Sequence, residues 1–452
     1  VYPFAVQNSY GGPRALKRLV NACHQAGMAV ILDVVYNHLG PEGNYLWDYG
    51  PYFTDRYRTP WGDAVNFDGA YSDAVRHFFI ENALHWFTHY HVDGLRLDAV
   101  HAIYDRSAGP FLRELAQRTK ALSNDLHRPC HLIAESDLND VRLITSPKSG
   151  GYGLNAVWCD DFHHALHSLL SGERHGYYVD FGAVHHLVKA MGEGFVYSGE
   201  YSTYRKHRHG SSTKDQPGRR FVVFSQNHDQ VGNRMLGERL SRLVDFESLK
   251  LCAGLVLLSP YVPLLFMGEE YGEEAPFLYF VSHSDTDLIE AVRSGRSEEF
   301  ASFRWRGEPP DPQSIQTFNL SKLDWHKRKQ GRHQRLLALY GALIRLRRET
   351  PCLSNLDKDR LEIVGWEDRK TILVKRWNKA DNSRALCFFN LNQDDVPLET
   401  AACVPEAAWK KKLDSSETIW DGPGTALPDH LDAKHPILTR AHSFAVYVAE
   451  GI

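Results

Sequence analysis

The sequence predicts an α/β fold: a (β/α)8 TIM barrel, represented by about six of its eight strands, followed by a C-terminal antiparallel β domain. Two patterns carry this expectation. Short apolar runs alternate with amphipathic stretches through the first two thirds of the 452 residues. From about Leu353 the pattern changes to short alternating runs separated by polar turns.

Taken in order, the helical pattern Pro13–Gln25 stops at Gly27 and leads into the run Ala29–Val35 (AVILDVV). A second stretch, Ser72–Tyr90, precedes Val92–Val100 (VDGLRLDAV), and a third, near Gly109–Leu126, precedes His131–Glu135 (HLIAE). Further runs lie at Ala156–Cys159, Phe221–Ser225 and Pro263–Met267. Runs that are apolar at successive positions suit a parallel sheet buried on both faces. Helix-then-strand order implies right-handed βαβ units. The first run already follows a helix, so the chain is expected to begin inside the barrel, after two strands. The helix His333–Glu349 closes the barrel, giving an expected division at 1–351 and 352–452. In the second part, Leu361–Trp366, Thr371–Arg376, Ala385–Asn390 and Ala445–Val448 read as strands. Ser282–Gln316 reads as a long loop or short helices, and the basic Lys206–Arg220 as a solvated loop.

Composition narrows the class. A net charge of −4 argues against nucleic acid or an anionic membrane as the main partner. The longest apolar run, Leu251–Met267, is broken by Ser259, Pro260 and Pro263, so no bilayer-spanning segment is expected. Seven cysteines with no CxxC pair fit a reduced, cytoplasmic setting better than a disulfide framework.

Four runs end in ionisable residues: Asp33 to Asn37-His38 (DVVYNH), Arg96 to Asp98 and His101 (GLRLDAVH), Glu135-Ser136, and Asn227-His228-Asp229 (FSQNHD). In a (β/α)8 barrel, chemistry sits where strands meet the loops that follow them. One buried carboxylate at a strand end is often structural, but four strands delivering one to a common face point to a site. Glycoside hydrolysis needs two carboxyl groups, one ionised to attack the anomeric carbon and one protonated to release the leaving oxygen. Arg96 and Asp98 are two residues apart, so in a strand both side chains share a face. The guanidinium favours an ionised Asp98, which reads as the nucleophile. Glu135 ends an apolar run, where desolvation keeps a carboxyl protonated, and reads as the acid. Asp229 adds a third negative charge for an oxocarbenium-like transition state, while His38 and His228 can donate to sugar hydroxyls. Asp33, one pleat repeat from its strand end, reads as a supporting carboxylate.

These four segments, in order, resemble those of the α-amylase superfamily (glycoside hydrolase family thirteen). The resemblance implies Asp98 as nucleophile, Glu135 as acid/base and Asp229 as transition-state stabiliser. It also implies Arg96, His38 and His228 as sugar contacts, with His101 on the leaving-group side. A finer resemblance, carried by HLGPEGNYL, AESDLND, DDFHHALH, GERHGYYVDF, NHDQVGNR and FMGEEYGEEAPFLYF, is to the malto-oligosyltrehalose trehalohydrolases. It implies cleavage of the α-1,4 bond beside a terminal trehalose, no cofactor, and a pathway partner, malto-oligosyltrehalose synthase, that need not touch this chain. Such proteins usually carry an N-terminal β-sandwich and two barrel strands that have no counterpart in this sequence.

Several alternatives stand beside these readings. His163 and His167, spaced as a metal pair, lack the intervening Glu of a zinc protease, so no metal is expected. Asn37 matches a calcium-holding position of many α-amylases, though a local hydrogen bond is the simpler role. Glu269-Glu270 fits either a substrate groove or a surface or helix-capping role. A branching or debranching α-glucan enzyme, or a general amylase, would share the four segments. A non-catalytic relative, such as a transporter-subunit ectodomain, would lose the carboxylates and carry an anchor.

Overall fold

The computed structural model describes residues 2–59, 62–301, 309–399, 403–432 and 435–450. The chain divides into two compact units, Val1–Trp158 and Cys159–Ile452.

The first unit is built on four parallel strands: β1 (Ile31–Val34), β2 (Gly94–Leu97), β3 (His131–Ala134) and β4 (Ala156–Trp158). They lie side by side in that order, with Ile31 opposite Gly94, Gly94 opposite His131, and Ile133 opposite Ala156. All four residues of β2 are buried, which explains why its run reads as continuously apolar around Arg96. Gly94 opens β2 because an added Cβ would press on Ile31 Cγ1 at 3.2 Å and His131 O at 3.4 Å. The helix Ser72–Tyr90 lies between β1 and β2 in the chain and buries Val75, Phe79, Ala83, Trp86, Phe87 and Tyr90. Those positions recur every three or four residues, the stripe of an amphipathic helix. Between β1 and this helix the chain inserts an antiparallel hairpin, Phe53–Thr59 with Gly62–Val65, that the sequence reading does not anticipate.

The second unit contributes two further parallel strands, β5 (Phe221–Val223) and β6 (Val262–Pro263), with Val222 opposite Val262. Among the described residues, six such strands therefore stand where six were expected, and β6 is shorter than its apolar run. The stretch before it is the helix Phe246–Leu257, whose first turn is capped by Asp245 accepting from Ser248 N–H at 2.7 Å. Among the described residues no helix is long and apolar enough to cross a membrane.

Two loop expectations need correction. Ser282–Gln316 contains the helix Thr286–Ala301, while 302–308 lie outside the described residues. In Lys206–Arg220, His207–Gly210 pairs antiparallel with Ser198–Ser202. Asp180 ties that hairpin down, accepting from Tyr197 OH at 2.6 Å, Ser202 Oγ at 2.7 Å and Thr203 N–H at 3.1 Å. The anchor lies outside the loop, so local composition does not reveal it.

Towards the C-terminus a second sheet runs in the spatial order Leu361–Trp366, Thr371–Trp377, Arg384–Asn390, Ser443–Ala449, Trp409–Asp414, His430–Leu431, every pair antiparallel. Its core gathers Leu373, Leu386, Phe388, Trp409 and Tyr447. Trp409 satisfies its indole N–H on Pro405 O at 2.9 Å, as a buried tryptophan must. The strand Trp409–Asp414 is absent from the sequence reading because its three lysines hide the alternation.

Candidate active site

The parallel register assembles the site in the first unit. Asp33 lies opposite Arg96, and Arg96 opposite Ile133. Asp98 and Glu135 each stand two residues further along β2 and β3, so period-two alternation puts Arg96, Asp98 and Glu135 on one face. The backbone ladder continues past the strand ends, with Asp98 N–H on Val34 O and Glu135 N–H on Leu97 O, both at 3.0 Å. These bonds fix the two carboxylate-bearing residues on the sheet itself rather than on a free loop.

Arg96 is the hub. Its side chain is 4% exposed, and its Nη1 lies 2.8 Å from both Asp33 Oδ1 and Asp98 Oδ1. Its Nη2 lies 2.7 Å from Glu135 Oε2. Burial works against the charged guanidinium, but Glu135, Asp33 and Asp98 outweigh it and raise the arginine pKa. The guanidinium carbon also sits 4.5 Å from the Trp158 ring centroid, a cation–π contact that covers one face.

Glu135 differs from the apolar surroundings expected of it. Besides Arg96, the Ala99 N–H donates to its Oε2 at 2.8 Å. Ala99 can do this because it adopts a left-handed conformation, φ 38° and ψ 53°, unusual for a residue with a Cβ. The strained turn directly after Asp98 thus aims a backbone donor at the neighbouring carboxylate. No sequence signal marks it, since alanine is not a residue that favours this region.

Asp98 is oriented from its other side by Asn37, which is buried and donates to Asp98 Oδ2 at 2.9 Å and Asp98 O at 2.8 Å. Asn37 Oδ1 lies 2.6 Å from His38 Nδ1, so that nitrogen carries the proton. Burial holds the His38 imidazole below its ordinary value against the opposing pull of Asp98. His38 is therefore neutral at neutral pH. The local hydrogen-bond reading of Asn37 fits these contacts. His101 lies in a short turn beyond Asp98, with its Nδ1 3.6 Å from Asp137 Oδ1, a partner the sequence reading missed.

Asp229 and His228 belong to the second unit. Asn227 caps the five-residue helix His228–Gly232, its Oδ1 accepting from Asp229 N–H at 2.9 Å and Gln230 N–H at 3.2 Å. The Asp229 carboxylate, 42% exposed, has Oδ1 3.5 Å from His228 Nε2. Behind this helix, His163 donates from Nδ1 to Ser225 O at 2.6 Å and accepts from Tyr178 OH at 2.9 Å. His167 Nε2 bonds Glu173, which also takes both terminal nitrogens of Arg234, at 2.9 and 3.0 Å. These bonds give the two helical histidines structural partners. Among the described residues, no group of three or more His, Cys, Asp or Glu side chains is arranged to hold a metal ion.

Comparison with known proteins is consistent with this geometry. Residues 3–58 match the family model for the α-amylase catalytic domain. The chain is 52% identical over 349 residues to the malto-oligosyltrehalose trehalohydrolase of Saccharolobus solfataricus, covering 77% of this chain and 59% of that protein. It is 45% identical to the Brevibacterium helvolum protein of the same name, covering 88% of this chain and 67% of the relative. A crystal structure of an α-amylase-type protein from Salmonella typhimurium superposes with a TM-score of 0.85 at 36% identity, covering all of this chain and 73% of the other. The chain thus spans less than two thirds of the length of the first of these relatives. Its fold is that of the α-amylases, and the chain belongs to the malto-oligosyltrehalose trehalohydrolase family within them.

Proposed function

We propose that this chain carries the catalytic machinery of a retaining glycoside hydrolase that cleaves the α-1,4-glucosidic bond next to the terminal trehalose of malto-oligosyltrehalose. The products are trehalose and a shortened malto-oligosaccharide. The observation that carries the reading is one buried guanidinium shared by Asp98 and Glu135 at adjacent strand ends. It is supported by close identity to proteins named for this reaction.

In the first step an Asp98 carboxylate oxygen attacks the anomeric carbon while Glu135 protonates the departing glycosidic oxygen. The C–O bond to the leaving sugar breaks, and a covalent glucosyl–Asp98 ester forms. Glu135 Oε2 is held by Arg96 and the Ala99 N–H, which orients the carboxyl that gives up the proton. In the second step Glu135, now ionised, takes a proton from water, whose oxygen displaces Asp98, and the two successive inversions leave the configuration retained. Arg96 orients Asp98 through its Oδ1, and Asn37 fixes its second oxygen. His38 contacts the sugar, and His101 serves the leaving-group side. On the motif FSQNHD alone, Asp229 takes the role of transition-state stabiliser and His228 that of a sugar contact.

The same reading includes a cytoplasmic setting, division into a barrel at 1–351 and a β domain at 352–452, and a synthase that supplies the trehalose-ended substrate. Product analysis tests it, with malto-oligosyltrehalose and plain malto-oligosaccharide as parallel substrates and Asp98→Asn as control. Free trehalose from the first, slow reaction of the second and none from the control are expected. Equal cleavage of both substrates would reduce the chain to a general α-glucanase, and new α-1,6 linkages would make it a branching enzyme.

A further inference from the structure

Glu269, the first of the acidic pair after β6, neither lines a groove nor lies at the surface. It is buried in the second unit, and its carboxylate is surrounded by neutral donors. Oε1 accepts from Ser225 Oγ at 2.8 Å and from Tyr340 OH at 3.0 Å. Oε2 accepts from Phe266 N–H at 3.2 Å, and the Gln226 side chain bonds the same carboxylate. Gln226 in turn accepts from Leu240 N–H at 3.0 Å through its Oε1. Desolvation pushes the Glu269 carboxyl up to about 7, against the pull of these donors. A group this costly to bury needs a return that an apolar side chain would not give.

The partners identify that return. Ser225 and Gln226 are the last residues before Asn227-His228-Asp229. The helix His228–Gly232 is five residues long, too short to hold its own direction, so the chain entering it decides where Asp229 stands. We propose that Glu269 is a positioning residue for Asp229, tying the Ser225–Gln226 strand end to the helix Gly331–Glu349 through Tyr340. The inference rests on the reading of Asp229 as the transition-state stabiliser. A glutamine can keep its oxygen on the Phe266 N–H, but its amide N–H groups then face Ser225 and Tyr340, whose hydroxyls must reverse and accept, so the tie is altered rather than simply retained.

The test uses Glu269→Gln, Glu269→Ala and the milder Tyr340→Phe in the full chain, with malto-oligosyltrehalose as substrate. Active sites are counted by prolonged labelling of Asp98 with a fluorinated maltosyl fluoride that traps the covalent intermediate, read by intact-protein mass. The expected result is a labelled fraction like that of the parent and a kcat per labelled site about ten- to a hundredfold lower for Glu269→Gln. KM should stay within about threefold, with Tyr340→Phe showing a smaller loss of the same kind. A fall in labelled fraction with unchanged kcat per labelled site would overturn the proposal, making Glu269 a folding residue only. Unchanged kcat in all three variants would overturn it too. If the parent neither labels nor turns over, the catalytic reading itself fails, and the inference falls with it.

Discussion

Two buried arginines of the first unit, Arg76 and Arg96, answer the same physical problem in opposite ways. Arg76 donates to Asp105 at 2.8 Å, Glu114 at 2.9 Å, Phe67 O at 2.9 Å and Gly109 O at 2.7 Å. Two carboxylates and two backbone carbonyls thus use its fork, and Asp105, 4% exposed, is sealed in with it. Arg96 meets three carboxylates, and these become progressively more open: Glu135 14% exposed, Asp98 23% and Asp33 53%. The Arg76 cluster is saturated, with Asp105 sealed in and Glu114, 41% exposed, at its open side, as expected of a group that locks a helix and loops together. The Arg96 cluster has an excess of negative charge at a solvent-facing edge, as expected of a site that must meet an electrophilic carbon. A buried cation at a carboxylate cluster therefore does not by itself mark function. What distinguishes the two is that backbone carbonyls complete the Arg76 fork, while three carboxylates share the terminal nitrogens of Arg96.

The largest effect that would sharpen this contrast is on chemistry. Asp98→Asn should fold like the parent and lose at least about a thousandfold in kcat, because the amide cannot form the ester. Residual turnover near the parent level, with a matching melting curve, would remove Asp98 from the mechanism. Next come paired arginine substitutions. Arg76→Met should cost about 3–5 kcal/mol of stability in urea unfolding, since it strands the buried Asp105. The kcat of the folded fraction should hardly change. Arg96→Met should cost less stability, because its carboxylates can reach water, yet lower kcat by about a hundredfold or more. If the two variants instead lost stability and activity in the same proportion, the contrast between the clusters would collapse.

How much of this was legible follows from which contacts the chain pattern dictates. Parallel strands in fixed register bring every strand-end residue to one edge, so Arg96, Asp98 and Glu135 could be grouped from their runs alone. The same register places Asp33 directly opposite Arg96, a pairing that alternation within one strand does not reveal. Glu135 reads as desolvated because its own run is apolar; the guanidinium that reaches it comes from the neighbouring strand. The left-handed Ala99 lies outside sequence reasoning altogether, since its conformation is imposed by the turn and not preferred by alanine. Glu269 shows the same limit, as two adjacent glutamates look solvated until the fold surrounds one of them with donors.

The pH dependence of stability separates the clusters further. Burial alone would raise the Asp105 carboxyl, but Ser107, the Phe111 N–H and Arg76 outweigh it and hold the group below its ordinary value of 3.8. A depressed folded value means that the stabilisation is present above 3.8 and is lost as pH falls through the lower folded value. Asp105→Asn should therefore be less stable at neutral pH and lose less on acidification, so the two urea-midpoint curves converge in acid. Parallel curves would show that Asp105 is not the titrating link.

The smallest effect belongs to Asp33→Asn. Asp33 is half exposed, and Arg96 keeps Asp98 and Glu135 on its two terminal nitrogens without it. An ion pair that open to water contributes less than about 1 kcal/mol. An asparagine oxygen can still accept from Nη1, so kcat should fall less than about threefold. A loss approaching that of Arg96→Met would mean that the exposed carboxylate sets the guanidinium's position. Arg96 would then be held from β1, rather than by the two carboxylates it serves.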